Sequence, residues 1–442
     1  MQHFLLEQSD REFYTSHSGL ALVGLCLNQY AEIDKALKGI PLRHGISHGD
    51  MLKTMIGLLC LGKSDFDAVE NHRQDTYFRH TLDIGQVPSS ASLRQRLDAK
   101  AEDYLPLVYA NNIDFLSRAK VPITSLKTGH VPLDMDVYPM DNSGTCKEGV
   151  SRTYHGYDGY APIAAYLGRE GWCLANELRP GSQHSQNEFA YVLERDLPHA
   201  KRLAGKQPIL TRLDSAHDAL ETRVELTKAG VDFLIKWNPR GTDPKDFMAR
   251  ADTLGCWVFP REGKREAVFS ETVTQVYQKK TYHFRRVIRI TERTIDKHGQ
   301  WLVTPDIELE GWWTTLDQDH DDATVIALYK DHATCEQFHS EFKTDLDLER
   351  LPSGKFATND LILTLAAFAY NILRYIGLTG LVGAHSLVRH PAKRRRIRTV
   401  IQELIYLAAR LIQSGRRLRL RFSKHCPAFT AFERTYQCFA YG

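Results

Sequence analysis

The chain has 442 residues, of which 43% are hydrophobic and 25% charged, with a formal net charge of +3. That balance excludes a disordered or fibrous protein, and at roughly 100 to 200 residues per domain it allows two to four domains. The eight cysteines are scattered, with no C-x-x-C pair and no matching histidine spacing, which argues against a zinc site. No charged-then-apolar leader opens the sequence, so the thiols are expected to stay reduced in the cytosol.

Up to about Lys120 the chain reads as helical, with helix-period apolar residues in Leu20 to Tyr30, Met51 to Leu61 and Ala101 to Leu116. Pro88-Ser89-Ser90 precedes the arginine-bearing stretch Ala91 to Leu97, an N-capped helix by its residues. A short basic helix after a turn fits a helix-turn-helix reader of DNA; an ordinary surface helix is the commoner arrangement.

At Val131 the pattern changes to alternation. Val131, Leu133, Met135 and Val137 share one face of a predicted strand, and Pro132, Asp134 and Asp136 the other. Glycines at 144, 149, 156 and 159 and the apolar stretch Ala161 to Leu167 predict further antiparallel strands. Pro208 to Asp214 reads as a buried strand ending in an acid, followed by a helix from about Ser215 to Ala229 and a strand at Asp232 to Lys236. Ligands of open α/β sheets collect beyond the carboxyl ends of strands, so Asp214 faces the natural crevice. His217 and Asp218 follow it, either as helpers at a metal or as ordinary polar residues of a first helical turn.

From about Pro239 to Glu310, short alternating runs predict a β-rich insertion without a strong helix. Trp312 and Trp313 suit a core strand better than base stacking. Asp317, Asp319 and Asp321 begin a calcium-loop spacing, but Asp322 replaces its glycine, so they are expected to solvate or cap a helix start. A helical pattern then runs from near Ala323 through Lys343. The apolar run Leu361 to Ile372 falls short of the roughly 18 residues a membrane span needs, and is expected to be a buried core helix. From Arg389 to Lys424 twelve Lys and Arg residues face one acid, Glu403, a distribution that favours phosphate binding.

On one continuous helix turning 100° per residue, Tyr329, His332, Glu336 and Lys343 fall within roughly 60° of one another. This segment resembles the Y-(2)-R-(3)-E-(6)-K signature of bacterial insertion-sequence DDE transposases, with His332 in place of the signature's arginine. Leu133-Asp134-Met135-Asp136 resembles that family's first acidic strand and Leu213-Asp214-Ser215 its second. The resemblance spans about Val131 to Phe356.

It implies a mixed α/β protein with an RNase H-like catalytic core interrupted by a β-rich insertion. A helical DNA-binding region would precede the core and a basic helical tail follow it. The corresponding boundaries are 1–125 for the DNA-binding region, 126–240 and 311–380 for the two parts of the core, 241–310 for the insertion and 381–442 for the tail.

The resemblance further implies that Asp136, Asp214 and Glu336 hold two Mg²⁺ or Mn²⁺ ions for strand cleavage and transfer, the hard-oxygen set such ions prefer. Asp134 competes with Asp136 for the first position, and Asp136 is preferred as nearer the strand end. Tyr329, His332 and Lys343 are expected at DNA phosphates, as are Arg394, Arg395, Arg396, Arg416 and Arg417 of the basic stretch. The implied partners are double-stranded DNA, as terminal inverted repeats and target, and a second copy of the chain, with no membrane. The implied location is the bacterial cytoplasm, at the nucleoid. A transposase-derived regulator that binds without cutting, and a stand-alone nuclease, are the alternatives.

Overall fold

The structure is a computed structural model describing residues 13–42, 44–383, 394–415 and 417–441. Its principal element is a nine-stranded mixed sheet, whose strands are β1 (Val131–Val137), β2 (Ile163–Leu167), β3 (Trp172–Glu177), β4 (Ile209–Leu213), β5 (Asp232–Lys236), β6 (Val258–Arg261), β7 (Lys264–Tyr277), β8 (Lys280–Ile295) and β9 (Trp301–Thr314). Across the sheet the order is β6-β7-β8-β9-β5-β4-β1-β2-β3. The neighbours β1, β4 and β5 run parallel, and every other pair is antiparallel.

Strand β1 lies between β2 and β4. Its alternation predicts one polar face, yet Asp134 is buried along with the apolar residues around it. An interior strand of a mixed sheet is covered on both sides, so a carboxylate there needs partners within the protein.

The strands expected between Pro239 and Glu310 extend this same sheet outward from β5. The β7–β8 hairpin turns through Gln278 and Lys279, both at positive φ (47° and 65°), which matches the twist of a two-residue hairpin loop. The stretch also holds an 11-residue helix, Pro244–Leu254, where no strong helix is expected from the sequence. Asp243 accepts from the Lys245 amide and Pro244 occupies the first turn, a start signal that the surrounding Thr and Val residues obscure.

The apolar run predicted as a core helix belongs to Phe356–Leu381. This helix is long and apolar enough, by length and composition, to cross a membrane, but 83% of its most apolar window is buried. It packs on the helices Ser90–Arg118 and His48–Cys60 and on β3. Asn371 fastens the junction, donating to Asn112 (2.8 Å) and the Cys173 carbonyl (2.7 Å) and accepting from the Cys173 amide (2.9 Å). The stretch Ala91 to Leu97 is the opening of the 29-residue helix Ser90–Arg118, capped by Ser89, with Leu93 and Leu97 buried.

The basic tail is not helical where its arginines are densest. Ala409–Ser414 and Arg417–Arg421 form an antiparallel pair, joined by Phe13–Thr15 into a three-stranded sheet, and the helix Phe429–Tyr441 follows. Arg417-Leu418-Arg419-Leu420-Arg421 alternates with period two, and its third strand comes from the far end of the chain.

Candidate active site

The parallel pairing of β1 with β4 puts Asp134 opposite Arg212. Asp136 and Asp214, each two residues further on, therefore stand level at the carboxyl ends of strands about 4.8 Å apart. Asp214 ends its strand by capping: its Oδ1 accepts from the Ala216 amide (3.1 Å) and pairs with the Nδ1 of buried His217 (2.7 Å). The expected helix from Ser215 is consequently a short 3₁₀ turn, and the helix proper is Leu220–Lys228. Asp136 accepts from the Val137 amide through Oδ1 (2.8 Å), and its Oδ2 lies 3.9 Å from the Nδ1 of His339.

Glu336 reaches the same place from a separate element. Tyr329 and His332 belong to the helix Asp322–His332, capped by Asp321, whereas Glu336 is in the first turn of the next helix, Thr334–Ser340. Lys343 follows in a wider turn, Glu341–Asp345. The single helix face expected for these four residues is thus broken at Ala333. Phe338 seats the second helix on the sheet above Gly171, whose φ is +73° and where an added Cβ would stand 2.2 Å from the phenyl ring.

Exposed Glu336 lines a cleft of about 580 Å³ with Asp136, Tyr154, His155, His339 and Lys343. Burial, then the charge of Asp214, raise the pKa of Asp136 to about 7, and Glu336 adds to the rise. Burial works against ionised Asp214 too, but hydrogen bonds from His217 and the Ala216 amide hold its pKa below the ordinary value. One acid poised near neutrality beside an ionised one is what crowded carboxylates produce without a cation.

Beneath this triad lies a layer that is satisfied within the protein. Arg212 donates to both oxygens of Asp134 (Nε to Oδ1 2.6 Å, Nη2 to Oδ2 2.7 Å), and the Nδ1 of His332 stands 3.0 Å from Oδ1. Nη1 of Arg212 also donates to the Leu328 carbonyl (2.8 Å) and Asp331 (3.1 Å), which ties the helix before Glu336 to β4. Burial opposes the charge on Asp134, yet Arg212 and His332 hold its pKa at about 2. Asp134, His332 and Cys335 converge closely enough to suit a metal, but the guanidinium already takes both carboxylate oxygens.

The other predicted contacts separate. Lys343 stays in the cleft, donating to the Pro139 carbonyl (2.8 Å) and pairing with Glu349 (3.1 Å). Tyr329 is half-buried between Trp312 and His332. His332 is buried in the layer beneath. Arg394 binds Glu341 (3.2 Å) and Gln337 (2.9 Å), and Arg396 binds Asp345 (2.8 Å) and donates to Ser340 (2.9 Å) and Thr344 (2.8 Å), which line the cleft; Arg395 donates to the Leu381 carbonyl (3.3 Å). Arg417 is exposed in the three-stranded sheet, and Arg416 lies outside the described residues. Trp312 and Trp313 are core residues.

Sequence reasoning passed over Tyr154, His155 and His339. Desolvation, then the charges of Asp136 and Asp214, raise the Tyr154 hydroxyl above the ordinary tyrosine value, although the residue is 68% exposed where it lines the cleft with Asp136 and Glu336. Only the Tyr and Gly content of its loop hinted at a turn there. The donor set fits a hard divalent cation, since the second oxygens of Asp136 and Asp214 accept no hydrogen bond among the described residues and Glu336 is open to solvent.

Residues 14–440 match the model of the family described as transposase DDE domain group 1, and the chain belongs to that family. It is also similar to the piggyBac transposase in a cryo-EM synaptic complex with hairpin DNA, at 9% identity and a TM-score of 0.39, covering 90% of this chain and 82% of that one. No curated protein matches the chain.

Proposed function

We propose that the protein is the transposase of a bacterial insertion sequence, which binds terminal inverted repeats and catalyses strand cleavage followed by strand transfer. The observation that carries this reading is the register of β1 on β4, which pairs Asp134 with Arg212 and so brings Asp136 and Asp214, each two residues on, to neighbouring strand ends, with Glu336 sharing a cleft with Asp136. The strand order β3-β2-β1-β4-β5, with β1, β4 and β5 parallel, supports an RNase H-like core. In that reading β6 to β9 are the insertion between the second and third acids, and the helices before β1 are the DNA-binding region.

Asp136, Asp214 and Glu336 would hold two Mg²⁺ or Mn²⁺ ions, which supply a nucleophile at neutral pH and stabilise both oxygens of an in-line displacement. The protein's own groups fix the rest. His217 orients Asp214, while Arg212 and Asp134 set the level of the strand ends. Lys343 and Tyr154 flank the phosphate path, and neutral His339, its pKa lowered to about 3 first by burial, walls the cleft without competing for a proton. Water attacks the phosphodiester first, and the freed 3′-hydroxyl then attacks target DNA. Two copies, one at each transposon end, are the assembly this chemistry calls for.

The test is incubation with a labelled duplex carrying the repeats that flank the gene, with Mg²⁺ or Mn²⁺. Cleaved and joined products support the reading, cleavage without joining indicates a nuclease, and binding without cleavage indicates a regulator.

A further inference from the structure

We infer that the outer face of the three-stranded sheet is a second DNA-binding surface, a platform for the phosphate backbone of a duplex. The inference rests on reading the chain as a DNA-processing enzyme, and it concerns a surface remote in sequence from the acids.

The register fixes which residues share that face. Tyr14 pairs with Arg410, Arg410 with Arg421, Ile412 with Arg419 and Ser414 with Arg417, and residues directly opposite in a sheet project to the same side. One face therefore carries Tyr14, Arg410, Arg417, Arg419 and Arg421. The other carries Leu411, Leu418 and Leu420, which line an apolar hollow with Phe422, Phe429 and Phe432. The sheet packs on the core through Leu411 and Leu420, Leu418 remaining 51% exposed, and its arginines lie on the opposite face.

Arg417, Arg419 and Arg421 are exposed and in no ion pair among the described residues. No Asp or Glu occurs in the sequence between Glu403 and Glu433. Outward residues on a strand recur about every 6.8 Å, so the three guanidiniums form a row roughly 14 Å long. A duplex carries one negative charge per about 1.7 Å of its axis, and a row of cations with no acid complements it. Tyr14, 62% exposed with Arg410 over its ring, adds a flat surface at one end. Contacts of this kind position a duplex without reading its sequence.

The experiment measures binding of the intact chain to a labelled 30-base-pair duplex of arbitrary sequence, in EDTA, across a salt series. In the triple variant Arg417→Gln, Arg419→Gln, Arg421→Gln, the slope of log K against log salt should become shallower by about 3, with at least tenfold weaker binding at 100 mM salt. The triple Lys variant should keep the wild-type slope. Arg419→Gln alone should lose about one unit of slope, which keeps the test valid if the triple variant folds poorly. Wild-type affinity and slope in the Gln variants would overturn the inference, as would tighter binding to phosphatidylserine vesicles than to the duplex. Cleavage with Mn²⁺ separates the two readings: a wild type that binds through these arginines but never cleaves removes the transposase reading and leaves this one standing.

Discussion

Arg212 holds both oxygens of Asp134, at 2.6 and 2.7 Å, two residues before Asp136 and Asp214 on the paired strands β1 and β4. The two acids of β1 are thereby given opposite tasks. Asp134 is neutralised inside the protein and sets the register of the strand ends, whereas Asp136 is left crowded against like charge.

Arg212→Met follows from that division. It strands a buried carboxylate with His332 as its remaining partner and unties Leu328 and Asp331 from β4. Breaking a buried pair from one side costs about 3 to 5 kcal/mol. Urea denaturation should show a loss of that size, and a loss below about 1 kcal/mol would contradict the assigned role.

Asp136→Asn should act in the other direction. Its folded pKa of about 7 lies above the unfolded value, so between about pH 4 and 7 the folded state keeps a proton that the unfolded chain has lost. Stability of the metal-free protein falls as pH rises through that window. The Asn variant removes this decline and is more stable at pH 7.5, by at most about 4 kcal/mol. Melting temperatures of wild type and variant at pH 5 and 7.5 in EDTA check the sign; equal values at both contradict it. Because a cation must displace the same proton, Mn²⁺ affinity of the wild type should also rise between pH 6 and 8.

How much of this was legible in the sequence depended on the range of each interaction. β1, β4 and β5 could be read because a strand of five to seven residues declares itself locally, and the acids at the ends of β1 and β4 came with them. The break at Ala333 could not be read: Tyr329 to Lys343 keeps a helical spacing, while the interruption answers to Arg212 gripping the Leu328 carbonyl and Phe338 seating on Gly171, both long-range contacts. The helical reading of the basic tail failed for the same reason, since the partner strand Phe13–Thr15 lies some 400 residues away. Arg394 and Arg396 stand out in the sequence by charge alone, and their buried partners Glu341 and Asp345 are invisible without the fold.

His217→Ala deletes the imidazole that holds Asp214 below its ordinary pKa. Removing the group that orients a ligand typically lowers metal affinity 10- to 100-fold. Calorimetric titration with Mn²⁺ should show a loss in that range with the protein still folded, and unchanged affinity would remove His217 from the site.

Gly171→Ala tests how the Glu336 helix is seated. The new Cβ meets the Phe338 ring at a backbone conformation that alanine disfavours. Overpacking of this kind costs about 1 to 3 kcal/mol. Thermal melts should show the loss and Mn²⁺ binding should weaken as Glu336 shifts; a neutral substitution would mean that the helix is held elsewhere.

The most direct measurement is metal-dependent cleavage of a labelled transposon-end duplex by wild type and by Asp136→Ala, Asp214→Ala and Glu336→Ala, each first shown to be folded. Cleavage by wild type with Mg²⁺ or Mn²⁺, absent in EDTA and lost in all three variants, is the predicted result. Full cleavage by any one of the variants, or by wild type in EDTA, would contradict a site built from these three carboxylates.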